Sequence, residues 1–381
     1  MIAFLLAALL AAPASAQAPA GPAGDAFYTP PATLPSGHGA PIWQRKLSGS
    51  AVLKSAKSNR LVLYRSTATN GSVIAVSGTV AIPKGTAPKG GWPVISWAHG
   101  TTGIADACAP SRRDAFGGYD HALLNRWLKA GYAVVRTDYE GLGTPGDHPY
   151  LIGVSEGRSV LDMVRAARKL DSRIGKRVVI AGHSQGGHAA LWAASLQRKW
   201  TPELNLRGTV AFAPASHLGD QATLLRSLTQ PGGGLSGLVA LIIRGIDIDR
   251  PDLNVQAGLG DRAKALYPAI ATECLGDLAK QTSFGGLAPA ELLRPDTPLD
   301  AVVAALNAND PETLTIRGPV RIEQGLTDTT VFPNFTQSLV SEIKATVTYK
   351  TYKGVDHGRV VTNRAPANDA TTFVRERLKV G

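Results

Sequence analysis

The segment Lys176-Arg-Val-Val-Ile-Ala-Gly-His-Ser-Gln-Gly-Gly-His-Ala-Ala-Leu-Trp-Ala-Ala194 changes from a strand pattern to a helix pattern around one serine. Residues 178–181 are short, apolar and mostly β-branched, as expected of a parallel strand covered on both faces. Between strand and helix, Gly182-His-Ser-Gln-Gly186 matches the G-x-S-x-G pattern, in which a serine at a strained turn projects its hydroxyl above the sheet. The segment therefore predicts a strand, a nucleophile elbow at Ser184 and a helix.

The residues around Ser184 have a physical reason for their spacing. Side chains at 182 and 186 would collide across so tight a turn, which explains the glycines. The helix directs its positive end at the reacting oxygen, and the backbone N–H of Gln185 is predicted to stabilise an oxyanion. A glycine-rich turn without chemistry is the alternative, because G-x-S-x-G alone is common by chance.

Strand and helix patterns elsewhere predict one interrupted sheet. Runs at residues 60–67 and 72–82, separated by Asn70-Gly71, indicate an antiparallel hairpin. From residue 92 strands alternate with helices, which is typical of a parallel sheet with crossover helices. Alternation stops over residues 217–317, which are mostly helical, and resumes at 318. We interpret that insertion as a cap over the sheet, with a separate helical module as the alternative.

The predicted organisation begins with a targeting segment. Residues 1–16 form an apolar run too short to span a bilayer comfortably and end in Ala14-Ser-Ala16, which predicts a signal peptide and a secreted or periplasmic location. A retained membrane anchor is the alternative. Residues 17–41, rich in Ala, Pro and Gly, are predicted to be a flexible N-terminal segment. The sheet domain then comprises residues 42–216 and 318–381, on either side of the cap.

Composition and charge limit the classes of partner. The chain has 381 residues and 44% hydrophobic composition, enough for a substantial core. The formal net charge of +11 lies outside the signal peptide. Because no basic motif is interleaved with aromatic residues, we expect no nucleic acid partner, and the charge favours solubility or weak association with an anionic cell surface. The pattern predicts no particular oligomeric state.

The two cysteines, Cys108 and Cys274, are predicted to form a disulfide. Export to an oxidising compartment lets an even pair persist as a bridge. Closing so long a loop would restrict the unfolded chain by about 4 to 5 kcal/mol on the entropic model. Two unpaired buried thiols are the alternative.

A serine hydroxyl needs a base, and the base needs an acid that fixes its tautomer. Where the elbow lies between a strand and a helix, the chain order is Ser, acid, His. Of the eight histidines, only His357 follows the resumed sheet, so it is the predicted base. Asp328, just after the first strand beyond the cap, is the predicted acid. We prefer Asp328 to Glu323, which lies within that strand, and to Asp356, which would point away from its neighbour His357.

Other site predictions come from the remaining polar residues. The loop His99-Gly-Thr-Thr-Gly103 follows a strand beside the elbow, so the N–H of Thr101 is the preferred second oxyanion donor, with Thr102 as the alternative. His183 and His188 lack the spacing and the acid of H-E-x-x-H and are predicted to be structural. Residues 247–252 lack the Gly and the distal Glu of a calcium-binding EF-hand loop, so we expect no metal. No glycine-rich phosphate loop is present, so we expect no cofactor. The cap acids Asp300 and Asp310 are predicted to be helix caps and solvated charges.

Four motifs together resemble the secretory lipase family of α/β-hydrolases, in particular bacterial members related to the fungal lipase A type. They are Ser96-Trp-Ala-His-Gly-Thr-Thr-Gly103, Arg136-Thr-Asp-Tyr-Glu-Gly-Leu-Gly143, Gly182-His-Ser-Gln-Gly-Gly187 and Gly325-Leu-Thr-Asp328. The likeness covers roughly residues 93–373. It implies an α/β-hydrolase fold with a helical cap after the sixth strand, inserted before the strand that precedes the catalytic acid. It also places the nucleophile, acid and base on Ser184, Asp328 and His357, although His183 replaces the Tyr of the fungal elbow.

The motifs and the resemblance predict an exported serine ester hydrolase, a lipase or carboxylesterase, that acts on a small-molecule or lipid ester through an acyl-enzyme. A serine peptidase or acyltransferase would use the same triad, and a non-catalytic binding protein on this scaffold is a further alternative. Residues 235–243 are the most apolar run after the signal peptide. They predict an acyl pocket that includes Leu241 and Ile242, unless they only pack the cap onto the sheet.

Overall fold

The computed structural model describes residues 18–113 and 118–379, and the predicted signal peptide lies outside them. The strands there are β1 (Pro41–Lys46), β2 (Ser58–Thr67), β3 (Val73–Ile82), β4 (Trp92–Ala98), β5 (Ala133–Thr137), β6 (Ile174–His183), β7 (Asn205–Phe212), β8 (Thr315–Gly325) and β9 (Lys344–Tyr352). They form one nine-stranded sheet in the order β1-β2-β3-β5-β4-β6-β7-β8-β9. The pairs among β1, β2, β3 and β5 are antiparallel, and all pairs from β5 through β4 to β9 are parallel. This confirms the predicted mostly parallel sheet with antiparallel N-terminal strands.

Helices cover both faces of this sheet. Those described are α1 (His121–Lys129), α2 (Gly153–Leu170), α3 (Gln185–Trp200), α4 (Leu218–Leu225), α5 (Gly234–Asp249), α6 (Asp261–Leu266), α7 (Leu275–Leu278), α8 (Asp300–Asn307), α9 (Pro333–Glu342), α10 (Arg359–Thr362) and α11 (Arg364–Arg377). Helices α2 and α3 pack on one face through residues such as Leu161 and Ala190. On the other face, α1 and α11 contribute Trp127 and Phe373. Because both faces are covered, every residue of β4 is buried.

The N-terminal segment differs from the prediction of a flexible tail over residues 17–41. Its described part packs on the sheet, where the side chains of Phe27 and Tyr28 are buried. The Tyr28 hydroxyl lies 3.1 Å from Ser111 Oγ, and the indole of Trp43 donates to the Phe27 carbonyl at 2.9 Å. Strand β1, which the sequence pattern missed, pairs antiparallel with β2. Two aromatic anchors thus hold a segment whose composition resembles that of a linker.

The predicted cap lies between β7 and β8 and contains α4 to α8 with several short 3-10 helices. Since β1 was missed, the insertion follows the seventh strand rather than the sixth, and β8 begins at Thr315, before the predicted boundary. The cap has its own apolar cluster, which includes Leu241, Phe284 and Leu306. That cluster also contains Tyr150 and Ile152 of the sheet domain. The cap is therefore packed against the core that it interrupts.

A disulfide joins the cap to the core, and a buried acid caps a helix within the cap. The predicted disulfide between Cys108 and Cys274 is confirmed, and it links the loop after β4 to the start of α7. Asp310 is fully buried rather than solvated, and both of its carboxylate oxygens accept the N–H of Leu218, the first residue of α4. It thus caps a helix that lies far from it in the sequence.

Across the described ranges, none of the helices combines the length and the apolar character that crossing a membrane would require.

Candidate active site

The turn that carries Ser184 is fixed by backbone contacts. Ser184 lies between β6 and α3 with φ 58° and ψ −120°, a conformation that costs a non-glycine residue of order 1–3 kcal/mol. A Cβ on Gly182 would lie 2.0 Å from the carbonyl oxygen of Gly186, and a Cβ on Gly186 would lie 2.0 Å from that of Ala98. Glycine is therefore required at both positions, for the reason that the sequence spacing indicated.

The predicted acid and base lie at the ends of neighbouring parallel strands. Asp328 follows β8, His357 follows β9, and the Nδ1 of His357 is 2.8 Å from the Oδ2 of Asp328. The other carboxylate oxygen accepts the N–H groups of Thr330 at 2.8 Å and Val331 at 2.9 Å. The amide of Gln324 donates to Oδ2 at 3.1 Å. The carboxylate is therefore held in one orientation relative to the imidazole.

Electrostatics favour the ionised form of Asp328. Burial would raise its pKa, but the hydrogen bond and charge of His357 and the N–H groups of Thr330 and Val331 lower it below the ordinary value. An ionised carboxylate beside Nδ1 selects the tautomer with the proton on Nδ1, which leaves Nε2 as an acceptor. Ser184 and His357 line the same cavity. The structure thus brings the predicted nucleophile and the predicted base to one cavity.

The two other acids considered for this role lie elsewhere. The carboxylate of Asp356 accepts the N–H of Arg359 at 2.9 Å. Glu323 is buried within β8, where Arg321 donates to it at 2.7 Å. The preference for Asp328 therefore agrees with the geometry of the described residues.

The two backbone N–H groups that were predicted to stabilise an oxyanion have no acceptor among the described residues. Gln185 is the first residue of α3, so its N–H has no acceptor within the helix. Thr101 lines the cavity beside Ser184, and its hydroxyl is 2.6 Å from that of Tyr150. The N–H of Thr101 makes no hydrogen bond to any described residue. The carbonyl of Thr102 accepts the N–H of Leu275 in the cap at 2.9 Å, which ties this loop to α7.

A buried polar network beneath Gln185 was missed by the sequence patterns. The carboxylate of Glu156 in α2 accepts the side-chain amide of Gln185 at 2.8 Å and the N–H of Leu151 at 3.2 Å. It also lies 2.7 Å from Nδ1 of His188, whose Nε2 is 2.8 Å from the carbonyl of Asn309. Burial would lower the pKa of His188, but the charge of Glu156 raises it. Glu156 is one of two acids, with Asp162, that are buried in α2.

His183 contacts the loop that carries the base. Its Nε2 lies 2.9 Å from the carbonyl oxygen of His357, and its Nδ1 lies 3.2 Å from the hydroxyl of Tyr119. Burial, reinforced by His357, lowers the pKa of His183 to about 3. The neutral ring therefore donates from Nε2 to the His357 carbonyl. These contacts agree with the predicted structural role of His183, which holds the loop that carries the predicted base.

An apolar cavity extends from Ser184 under the cap. Helix α5 contributes Leu238, Val239, Ile242 and Ile246, which share one helical face. Ile242, one of the two predicted pocket residues, therefore lines this cavity. Leu241, the other predicted pocket residue, is not among the cavity-lining residues. It is fully buried in the cap core, because its helical position faces away from the cavity.

The mixed sheet, the elbow after β6 and the residues after β8 and β9 define an α/β-hydrolase fold. Comparison with solved structures supports this fold. Candida antarctica lipase A matches with a TM-score of 0.72 at 23% identity, covering 84% of this chain and 78% of that one. The rice cell wall degrading esterase from Xanthomonas oryzae matches with a TM-score of 0.72 at 21% identity, covering 90% of this chain and 99% of that one.

The family resemblance predicted from the motifs is confirmed as secretory lipase, whose family model matches residues 114–290. Lipase A of Moesziomyces aphidis is 30% identical over 66% of this chain and 56% of its own length. A probable inactive lipase of Mycobacterium tuberculosis is 28% identical over 61% of this chain and 53% of its own. The chain thus spans about half the length of these curated relatives.

Proposed function

We propose that this protein is an exported serine ester hydrolase of the lipase or carboxylesterase type. The observation that carries the proposal is the 2.8 Å contact between His357 Nδ1 and Asp328 Oδ2, in a loop that shares a cavity with the strained Ser184. The similarity to lipases supports ester chemistry. The apolar N-terminal run and the secretory family support export.

The geometry supports a double-displacement mechanism. The oxygen of Ser184 attacks the ester carbonyl while Nε2 of His357 removes the hydroxyl proton, and the N–H groups of Gln185 and Thr101 stabilise the oxyanion. His357 then donates that proton to the departing alcohol, which leaves an acyl-enzyme on Ser184. A water molecule, deprotonated by His357, then attacks the acyl carbonyl carbon. The bond to the Ser184 oxygen breaks, His357 returns the proton to that oxygen, and the carboxylic acid leaves. Asp328 remains ionised throughout and stabilises the imidazolium.

The walls of the site favour an ester with an apolar acyl group. Leucine, isoleucine and valine side chains of the cap line the cavity that starts at Ser184. A second cavity that Ser184 also lines is more polar and includes Tyr119, Asp356 and Arg359. We assign the apolar cavity to the acyl chain and the more polar cavity to the alcohol.

The experiment that tests this proposal is a substrate panel assayed with the exported protein and with Ser184→Ala. The panel contains p-nitrophenyl esters, triglyceride emulsions and peptides. We expect turnover of esters that Ser184→Ala abolishes, together with covalent labelling of Ser184 by an organophosphonate. Turnover of peptides alone would support a peptidase, and transfer to an added alcohol in preference to water would support an acyltransferase.

A non-catalytic binding protein is the second candidate, because one relative carries the name of a probable inactive lipase. Against it, the serine, acid and base positions are all filled, and the acid contacts the base. Binding of lipid esters without turnover or labelling would favour this candidate.

A further inference from the structure

A second cluster of ligand-type side chains lies outside the active site. One nitrogen of His217 and one carboxylate oxygen each of Glu312 and Glu342 all lie within 4.8 Å of one another. The two carboxylates approach different nitrogens of the ring, with 3.9 Å from His217 Nδ1 to Glu312 Oε1 and 3.9 Å from His217 Nε2 to Glu342 Oε2. Asp220 is a further neighbour, with its Oδ2 3.3 Å from His217 Nδ1.

Two polar atoms of this cluster are buried without partners among the described residues. His217 is 7% exposed, and its Nε2 makes no hydrogen bond. The Oε2 of Glu312 is likewise buried and unpaired. Leaving a buried polar atom unpaired costs about 1 to 3 kcal/mol. The unpaired nitrogen faces the carboxylate of Glu342, so the cluster has the character of a binding site that lacks its ligand.

We propose that His217, Glu312 and Glu342 bind a zinc ion. A neutral imidazole with carboxylate oxygens is a ligand set that zinc accepts, whereas calcium and magnesium take oxygen ligands. Ligand atoms about 2.1 Å from a tetrahedral zinc lie about 3.4 Å apart. Because one zinc binds only one nitrogen of the ring, the three ligand atoms, which lie within 4.8 Å of one another, must close by up to about 1.4 Å.

The site is partly organised for such a contraction. The His217 ring packs on Phe335 of α9, with ring centroids 5.8 Å apart. The side chain of Glu342 is 50% exposed, so it is free to rotate inward and leaves an entry path. Asp220 or water supplies the fourth ligand. The proposed ligands are far apart in the sequence and are brought together only by the fold, so no short metal-binding motif marks them in the sequence.

The three proposed ligands lie where the cap joins the sheet domain, so a bound ion would hold the two together. His217 lies in the connection from β7 into α4, and Glu312 lies in the connection from α8 back to β8. Glu342 is the last residue of α9 in the sheet domain. One ion would therefore tie both connections of the cap to the core, and zinc would stabilise the native protein by binding the folded state.

The test is thermal unfolding of the exported protein, first freed of metal with a chelator, with and without about 100 μM ZnCl₂. We expect zinc to raise the Tm by about 2 to 4 °C. Glu342→Gln and Glu312→Gln should each lose that response. The matched control is Glu376→Gln, which changes an exposed acid on α11 and should keep it.

The Tm without metal separates folding from binding. Because Glu342 is half exposed, Glu342→Gln should unfold within about 1 °C of the original chain when metal is absent. If the cluster were an ion-pair network around a protonated His217, the same change would lower that Tm, and zinc would have no effect on the original chain.

Three outcomes would overturn the proposal. They are no zinc response in the original chain, an equal response in Glu342→Gln and Glu376→Gln, and an equal response to CaCl₂. The first result excludes the site, the second places the ion elsewhere, and the third excludes the zinc-type ligand set.

Discussion

The conformation of the elbow is fixed by contacts between backbone atoms, whereas the cap above it is held by packing between side chains. At the elbow the constraint is backbone against backbone, since a Cβ on Gly182 or Gly186 would lie 2.0 Å from a carbonyl oxygen. In the cap, the α5 residues along the cavity are side chains that meet one another and an open space. A backbone clash admits no alternative residue, whereas apolar packing tolerates exchanges of similar volume. We therefore expect the elbow to determine the chemistry and the cap to determine the substrate.

The largest expected effect tests the elbow and its partners. Ser184→Ala and His357→Ala should each lower kcat by about 10⁴- to 10⁶-fold, and the double variant should lose little more, because the residues act as one unit. The measurement is steady-state hydrolysis of a p-nitrophenyl ester, with circular dichroism as the control for folding. Additive losses in the double variant would contradict a shared proton transfer.

The next effect concerns the link between the two regions. Cys108→Ser with Cys274→Ser should lower the free energy of unfolding by about 2 to 5 kcal/mol, because the bridge closes a loop of 166 positions between the segment after β4 and α7. Denaturant unfolding of both proteins measures this difference. The hydrogen bond from Leu275 to Thr102 lies beside the bridge, so activity should be lost at a lower temperature as well.

A cap that moves independently of the core would give another result. In that case the double serine variant would unfold at the same denaturant concentration as the original chain. Its activity would also show the same dependence on temperature.

The sequence predicted those parts of the site that depend on local backbone geometry and chain order. The elbow at Ser184 needed only the glycine spacing. Asp328 and His357 followed from their positions after consecutive parallel strands, whose carboxyl ends meet at one edge of the sheet. The family motifs pointed to the same residues.

Features that depend on contacts between distant segments were not predictable in this way. Glu156 reaches Gln185 and His188 only because α2 and α3 pack side by side. The anchoring of Phe27 and Tyr28 left no periodic signal in the sequence. Leu241 was grouped with Ile242 because hydrophobicity alone does not tell which face of a helix meets the cavity.

Because Ile242 lines the cavity and its neighbour Leu241 does not, substitutions at these two positions form a matched pair of variants. The specificity constant should rise about fourfold per methylene until the acyl cavity is full, since a buried methylene contributes about 0.8 kcal/mol. Ile242→Phe should fill part of the cavity and shorten the preferred chain. Leu241→Phe, the same kind of change one position earlier, should cost about 1 to 3 kcal/mol of stability through overpacking and leave the preferred chain length unchanged. The measurements are kcat/KM for acetate to decanoate esters and denaturant unfolding.

An equal shift of chain-length preference in both variants would contradict the assignment of acyl-chain selection to Ile242 and not to Leu241. A steady fall of kcat/KM from acetate onward would also place acyl selection outside the cavity under α5.

The smallest expected effect is a loss of stability at acid pH that comes from one residue of the core, Asp328, and does not involve the cap. The pKa of Asp328 lies below its ordinary value in the folded chain, so its charged form adds stability that is fully present above pH 3.8 and is lost as the pH falls through the folded pKa. The variant Asp328→Asn has no such group.

The difference in unfolding free energy between the original chain and Asp328→Asn should therefore be constant near neutral pH and shrink below about pH 4. Because both proteins carry the same cap and the same other carboxyl groups, subtraction cancels their titration. A difference that stayed constant from pH 6 to pH 3 would mean that the contacts of Asp328 with His357, Thr330 and Val331 do not favour its ionised form.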